Sequence, residues 1–401
     1  MDTTRDYWLI LKPQVYIMMS TQRILLYNTE KGVYIESDEP SCIELIDSAR
    51  DEQNKGVRFL PQKVLNNNRL ITFIRKLQEL QMVELKPADN RTHKPESLLP
   101  VYPEKSPVFS KDIMLCLTTL YLYINTTCKQ KCPFCELYYK QNPCCTRTKC
   151  GEELTIEQIK RILKEARNSP LGKIHILGGD LLQYSRFPQL VEILEKANTA
   201  VHYWINYKNT NELDTRLLNK IKYWNVLVDF PLDQEQLQKN IALFNGKAIF
   251  YFLIHNEEQR EIIETVRKLY HDIRIRIIPI YNNKNQDFFE TEYYLSKSDI
   301  FSKPISQCRI WRNQTVNSNN FGALYIFPDG KVKTNPNAEC LGDFHTSSLE
   351  DLLTKEVELN TSWLKIRDNE THCKDCLYRH LCPPPSNYEH LLGKANLCHV
   401  I

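Results

Sequence analysis

From residue 112 to about 282 the chain alternates between short apolar or aromatic runs and longer segments of helical periodicity. The strand-like runs are "LYLYIN", "KIHIL", "VHYWIN", "NVLVDF", "KAIFYFLI" and "IRIRIIPIY". Between them lie "TIEQIKRILKEARN", "FPQLVEILEKAN", "ELDTRLLNKIKYW", "QEQLQKNIALF" and "EEQREIIETVRKLY". The first of these places Thr155 and Gln158 at capping-box spacing. Six strands separated by helices argue for parallel βα units, so the fold class is α/β and the architecture a partial or complete barrel. Such folds work at the carboxyl ends of their strands. "TTCKQKCPFC" lies there after the first strand, and "GGD" after the second.

Two further units flank this one. Residues 1–100 read as a small α+β module, with "YIMM", "RILLYNT" and "KGVYIES" as short strands. "PSCIELIDSAR" and "NNRLITFIRKLQELQMVEL" are amphipathic, and Leu70, Phe73, Ile74 and Leu77 share one helical face. "KPADNRTHKPESLLPVYPEKSP" is polar and proline-rich, a linker into a central domain at 112–305. Residues 306–401 are loop-rich, with "FPDGKVKTN" as a hairpin. A length of 401 residues accommodates these three units. A net charge of +3 calls for no nucleic-acid partner. Nor does any apolar run approach the roughly 20 residues that span a bilayer. The first residues lack the basic-then-apolar pattern of a secretory signal, so the expected location is cytoplasmic. Thiols stay reduced there, and 14 cysteines then point to metal or redox chemistry instead of disulfides.

Cys128, Cys132 and Cys135 form a C-x3-C-x2-C array. Three thiolates on one loop can bind three irons of a 4Fe–4S cluster and leave the fourth open. A structural zinc site would need a fourth protein ligand, for which Cys144, Cys145 and Cys150 are available. The array and its place after the first strand resemble the radical S-adenosylmethionine (radical SAM) superfamily. That resemblance implies a partial (β/α)6 barrel of radical SAM type. It also implies a cluster whose open iron takes the amino and carboxylate groups of S-adenosylmethionine, and a 5′-deoxyadenosyl radical as the reactive product. Phe134 matches the aromatic position set beside the adenine. Gly178 and Gly179, the chain's single Gly-Gly pair, followed by Asp180, resemble the family's Gly-Gly-Glu element, which receives the cofactor's ammonium. Glycine there would let the backbone approach a ligand and expose its carbonyls. Asp229 and Asp233 stand near a position where many relatives carry serine, and Asn206 near another polar one; for Asn206 a turn residue is the simpler reading.

Cys373, Cys376 and Cys382 form C-x2-C-x5-C, and Cys398 follows. They resemble the SPASM extension of radical SAM peptide maturases, which usually holds two auxiliary clusters. Asn335 and Ser386 stand where that pattern has cysteines, so the resemblance implies one auxiliary 4Fe–4S cluster ligated by Cys373, Cys376, Cys382 and Cys398. A zinc tetrathiolate is the alternative. Cys308 and Cys340 are then remnants or parts of an unusual site.

"CPPPSNYEHLLGKANLCHV", Asn335 and "LLYNTEKGVYIES" resemble the radical SAM and pseudo-radical-SAM proteins of Bacteroidales double-glycine peptide systems. The resemblance implies a maturase acting on a ribosomally made precursor peptide with a double-glycine leader. The leader would be captured by a winged-helix-like module at 1–100 as an added strand. It further implies a radical SAM paralogue as partner and a reductant protein such as a flavodoxin or ferredoxin. Some members of that group lack a working cluster, so a binding-only scaffold that presents the precursor to a catalytic partner is the second reading.

Overall fold

The computed structural model describes residues 4–88, 93–97, 112–130, 132, 135–146 and 152–400. Phe134 and Cys150 lie outside the described residues, as does most of the proline-rich linker.

The N-terminal part holds β1 (Tyr7–Leu11), β2 (Val15–Met19), β3 (Ile24–Asn28), β4 (Val33–Ser37), α1 (Pro40–Arg50), β5 (Val57–Leu60), α2 (Asn68–Glu79) and β6 (Val83–Pro87). They make two antiparallel three-stranded sheets, ordered β5-β1-β6 and β2-β3-β4. The sequence reading finds the second sheet and misses the first. It also runs one helix across 67–85, which the structure ends at Glu79. Gln81 then turns the chain with a φ of 56°, and β6 follows. Alternation divides the β2-β3-β4 sheet between two partners. Val15, Ile24 and Leu26 join the core under α1 and α2, while Tyr16, Met18, Leu25 and Tyr27 pack against Leu377, Tyr378 and Leu381 far along the chain.

The central part comprises β7 (Thr119–Tyr123), α3 (Cys135–Gln141), α4 (Ile156–Glu165), β8 (Lys173–Leu177), α5 (Phe187–Glu195) and β9 (Ala200–Asn206). It continues with α6 (Thr215–Lys220), β10 (Tyr223–Val228), α7 (Gln234–Phe244), β11 (Ala248–Ile254), α8 (Glu257–Leu269) and β12 (Arg274–Pro279). β7 through β12 pair in sequence order and all in parallel. α4 begins with the capping box read from the sequence: Thr155 Oγ1 accepts from Gln158 N at 3.2 Å, and Thr155 N donates to Gln158 Oε1 at 2.6 Å. "ELDTRLLNKIKYW" is not one helix. Its start is a 3-10 turn and its end belongs to β10, because Trp224 is buried between sheet and helices and Tyr223 pairs with His202.

Successive strand residues face opposite ways. Leu120, Leu122, Ile174, Ile176, Val226, Phe250 and Phe252 pack under the helices. Tyr123, Leu177, Trp204, Leu227 and Leu253 fill the inner face. There a row of stacked rings runs from Tyr325 to Tyr121 (4.2 Å), His175 (4.6 Å), His202 (5.0 Å) and Tyr223 (4.9 Å). Burial pushes His175 down to about 3, and its Nδ1 accepts from Trp204 Nε1 at 2.9 Å, so this imidazole is neutral.

The remainder contains α9 (Gln286–Tyr293), α10 (Lys297–Ile300), α11 (Gln307–Thr315), β13 (Ala323–Ile326), β14 (Lys331–Lys333), β15 (Gly342–Asp343), α12 (Leu349–Leu359) and α13 (Asn387–Leu392). β13 pairs in parallel with β7, so the central sheet continues past residue 306 to nine strands, with β12 and β15 at its ends. The hairpin read in "FPDGKVKTN" joins β13 to β14, and Gly330 takes a φ of 80° at its turn. Among the described residues no helix is long and apolar enough to cross a membrane.

Candidate functional site

The loops that leave β7 and β8 are fastened to one another. Asn125, fully buried, donates its amide to the Asp180 carbonyl at 2.7 Å, while its carbonyl and Oδ1 accept from Gly179 N at 3.0 and 3.1 Å. Asp180 N donates to the Thr127 carbonyl at 2.7 Å. Glycine is required here by this contact. A Cβ on Gly178 would lie 2.1 Å from Asn125 Oδ1, and one on Gly179 would lie 2.3 Å from the Thr127 carbonyl oxygen. This corrects part of the sequence reading. The Gly178 carbonyl accepts from Thr146 N at 3.0 Å and the Asp180 carbonyl from Asn125, so both are used inside the protein.

Cys128, Cys132 and Cys135 are brought around one small cavity. Its wall also contains Gln130, Cys145, Thr146, Gly179 and Asn206. Gly178 and Asp180 flank Gly179 in the chain and are not among the residues that line the cavity. Asp180 Oδ1 accepts from Leu182 N at 3.1 Å, and burial pushes its carboxyl up to about 6, with Lys129 of the cysteine loop acting against that rise. Burial also raises the Cys132 thiol, with Asp229 and the neighbouring thiols adding to it.

Sequence reasoning passed over most of the surroundings. Asn209 Nδ2 lies 3.8 Å from Cys128 Sγ. Asn206 at the end of β9 reaches the cavity and approaches Asp229 Oδ1 at 3.4 Å, and Lys208 pairs with the same oxygen at 3.1 Å. Asp229 is thus a resident of the site, whereas Asp233 caps α7 by accepting from Gln236 N at 2.9 Å. The Tyr138 hydroxyl and His255 Nε2 share a hydrogen bond of 2.7 Å nearby.

Cys373, Cys376, Cys382 and Cys398 border a second small cavity. Burial pushes Cys382 up to about 12, while the Arg367 guanidinium opposes that rise. Arg367 is itself buried, paired with Glu389, and 3.8 Å from Cys373 Sγ. A buried cation beside four thiols suits a group that binds them as thiolates. Asn335, at one departure from the two-cluster pattern, donates to Asn320 Oδ1 at 2.9 Å and to Asn387 Oδ1 at 2.5 Å. Ser386, at the other, caps α13. Both positions are absorbed into polar contacts, and Cys308 and Cys340 are exposed elsewhere.

The donor sets fit iron–sulfur groups. Three of the named thiols border one cavity and four border the other, and thiolate is the ligand that such clusters take.

A groove runs between β4 and α2, lined by Ile35, Ser37, Arg69, Thr72 and Arg75 among others. β4 is an edge strand, paired through its register with β3.

Residues 122–291 match the profile of the Radical SAM superfamily. That match agrees with the open parallel sheet and with the thiols at its carboxyl end, and the cofactors of that superfamily are a 4Fe–4S cluster and S-adenosylmethionine. The chain is similar in fold to Streptococcus suis SuiB bound to precursor peptide SuiA, at 13% identity, 98% coverage of each chain and a TM-score of 0.51. Streptococcus suis SuiB bound to S-adenosylmethionine aligns at 14% identity, 98% coverage of each chain and a TM-score of 0.49. No curated protein matches the chain.

Proposed function

We propose that this chain is a cytoplasmic radical SAM maturase of a ribosomally made precursor peptide. The observation that carries the reading is the single cavity shared by Cys128, Cys132, Cys135 and the Gly178–Asp180 loop's Gly179. The three cysteines would hold a 4Fe–4S cluster, and Gly178, Gly179, Asp180 and Phe134 would seat S-adenosylmethionine. When bound, that pair supplies a 5′-deoxyadenosyl radical for hydrogen abstraction. The chain's own part is positional. Asn125 holds the two loops in register, Asp180 offers a carboxylate to an ammonium, and the aromatic inner face keeps water from the sheet side.

In this reading residues 1–100 take the double-glycine leader, residues 112–305 do the chemistry, and residues 306–401 carry one auxiliary 4Fe–4S cluster on Cys373, Cys376, Cys382 and Cys398. The edge strand β4 and the groove beside α2 support leader capture by strand addition. The peptide-bound state of SuiB supports a peptide as substrate class. A flavodoxin or ferredoxin would supply electrons, and a radical SAM paralogue would share the precursor.

A second reading, a scaffold that binds the precursor without catalysis, is favoured by Cys145, a fourth thiol in the first cavity. Anaerobic reconstitution with dithionite and S-adenosylmethionine separates the two. Formation of 5′-deoxyadenosine supports the enzyme; its absence from protein with a verified cluster supports the scaffold. Mass spectrometry of a precursor co-expressed with the chain then identifies the modification.

A further inference from the structure

Cys145 is ten residues beyond Cys135, and its carbonyl lies 3.8 Å from Cys135 Sγ. Its neighbours hold it in the wall of the first cavity. Cys144 is buried with the inner-face aromatics, its Sγ 3.9 Å from that of Cys145. Thr146 is tied through its backbone N–H to the Gly178 carbonyl at 3.0 Å. Cys144 is a member of the inner-face core, and Cys145, packed against that core, also lines the cavity with the three other cysteines.

We propose that Cys145 is a displaceable fourth ligand. In the absence of S-adenosylmethionine its thiolate binds the iron that Cys128, Cys132 and Cys135 leave uncapped, and the cofactor must compete for that place. The proposal rests on the cluster reading of those three cysteines. Thiolate is the usual protein ligand of such clusters, and Cys145 lines the same cavity as the other three cysteines. On exchange, the bond between iron and Cys145 Sγ breaks, and the amino nitrogen and a carboxylate oxygen of S-adenosylmethionine bind the same iron. The cofactor's ammonium gives up one proton as its nitrogen coordinates, and the released thiolate takes up one proton, so the exchange is proton-neutral. No electron moves. The same capping protects the otherwise removable iron, and it lowers the apparent cofactor affinity by the fraction of protein left uncapped.

Wild type, Cys145→Ala and Cys145→Ser are reconstituted anaerobically, freed of S-adenosylmethionine and oxidised with ferricyanide, while electron paramagnetic resonance follows the three-iron species. Cys145→Ala should lose its fourth iron readily, wild type should resist, and the weaker serine ligand should fall between. S-adenosylmethionine should bind Cys145→Ala roughly tenfold more tightly if nine-tenths of wild type is capped. Equal iron loss and equal affinity in all three proteins overturn the capping and leave the cluster assignment standing. A variant with Cys128, Cys132 and Cys135 all replaced by alanine that binds as much iron as wild type overturns both.

Discussion

The Asn125 amide meets the Asp180 carbonyl at 2.7 Å, joining the loop that carries the first cysteines to the loop after the next strand. Replacing Asn125 by alanine leaves the Asp180 carbonyl without its amide partner, at about 1–3 kcal/mol, while Gly179 N keeps the backbone carbonyl of residue 125. We expect a lower urea midpoint and iron lost from the first cavity alone. Gly178→Ala should act alike, since its Cβ would collide with Asn125 Oδ1 at 2.1 Å. An unchanged midpoint in both would refute the role given to this contact.

Alanine at Cys128, Cys132 or Cys135 should abolish 5′-deoxyadenosine formation and remove about four irons per chain. Iron held by Cys373, Cys376, Cys382 and Cys398 should remain, because those thiols border a separate cavity. Iron and sulfide analysis of each variant checks this; full activity in any one of them is the failing result.

The raised carboxyl of Asp180 gives two pH trends of opposite sense. The ionised form accepts hydrogen bonds from the cofactor's amino group more strongly, so S-adenosylmethionine binding should weaken as pH falls through about 6. Stability of the metal-free protein responds differently. The folded value of about 6 exceeds the unfolded value of about 3.9, so the native state holds this proton more tightly. The associated stabilisation is present below pH about 4 and disappears as pH rises through about 6. Asp180→Asn should flatten both trends, read by calorimetric titration and by urea unfolding at several pH values.

Arg367→Met leaves Glu389 as an unpaired buried carboxylate, a loss of about 3–5 kcal/mol. The double variant Arg367→Met, Glu389→Gln should recover part of that stability. Both should hold the C-terminal cluster at a lower reduction potential, since the cation beside Cys373 is gone. Potentiometric titration monitored by electron paramagnetic resonance tests this, and an unmoved potential counts against it.

Thr72 is exposed on α2 and faces the groove beside β4. Thr72→Trp should fill that groove and weaken precursor-peptide binding about tenfold or more, an effect of about 1.4 kcal/mol. Fluorescence anisotropy with a labelled leader peptide measures it. Wild-type affinity in this variant would place leader capture elsewhere.

The order and direction of β7 to β12 were legible because a sheet buried on both faces leaves long apolar runs, and the helices between them keep a clear period. The boundary at Tyr223–Trp224 was not, since a ring that continues a helical pattern is claimed by the neighbouring strand. The cysteines and the Gly-Gly pair could be read because each feature is local. Asn209 and Cys128 are 81 positions apart, and Cys145 follows its partners across another loop, so only folding reveals the contact of the first pair and the cavity that Cys145 shares with the other three cysteines. The polar cluster of Asn320, Asn335 and Asn387 is hidden for the same reason. The sequence shows that cysteine is missing there, but not what fills the position.

The Glu36 carboxylate on β4 accepts from the Tyr378 hydroxyl at 2.6 Å, and Tyr16 on β2 meets His380 at 2.7 Å. Both partners belong to the segment between Cys376 and Cys382. Trimming away the first hundred residues would therefore do more than delete a docking platform. It would strip Leu377, Tyr378 and Leu381 of their cover and leave a sticky, poorly braced rim around the distal sulfur cage.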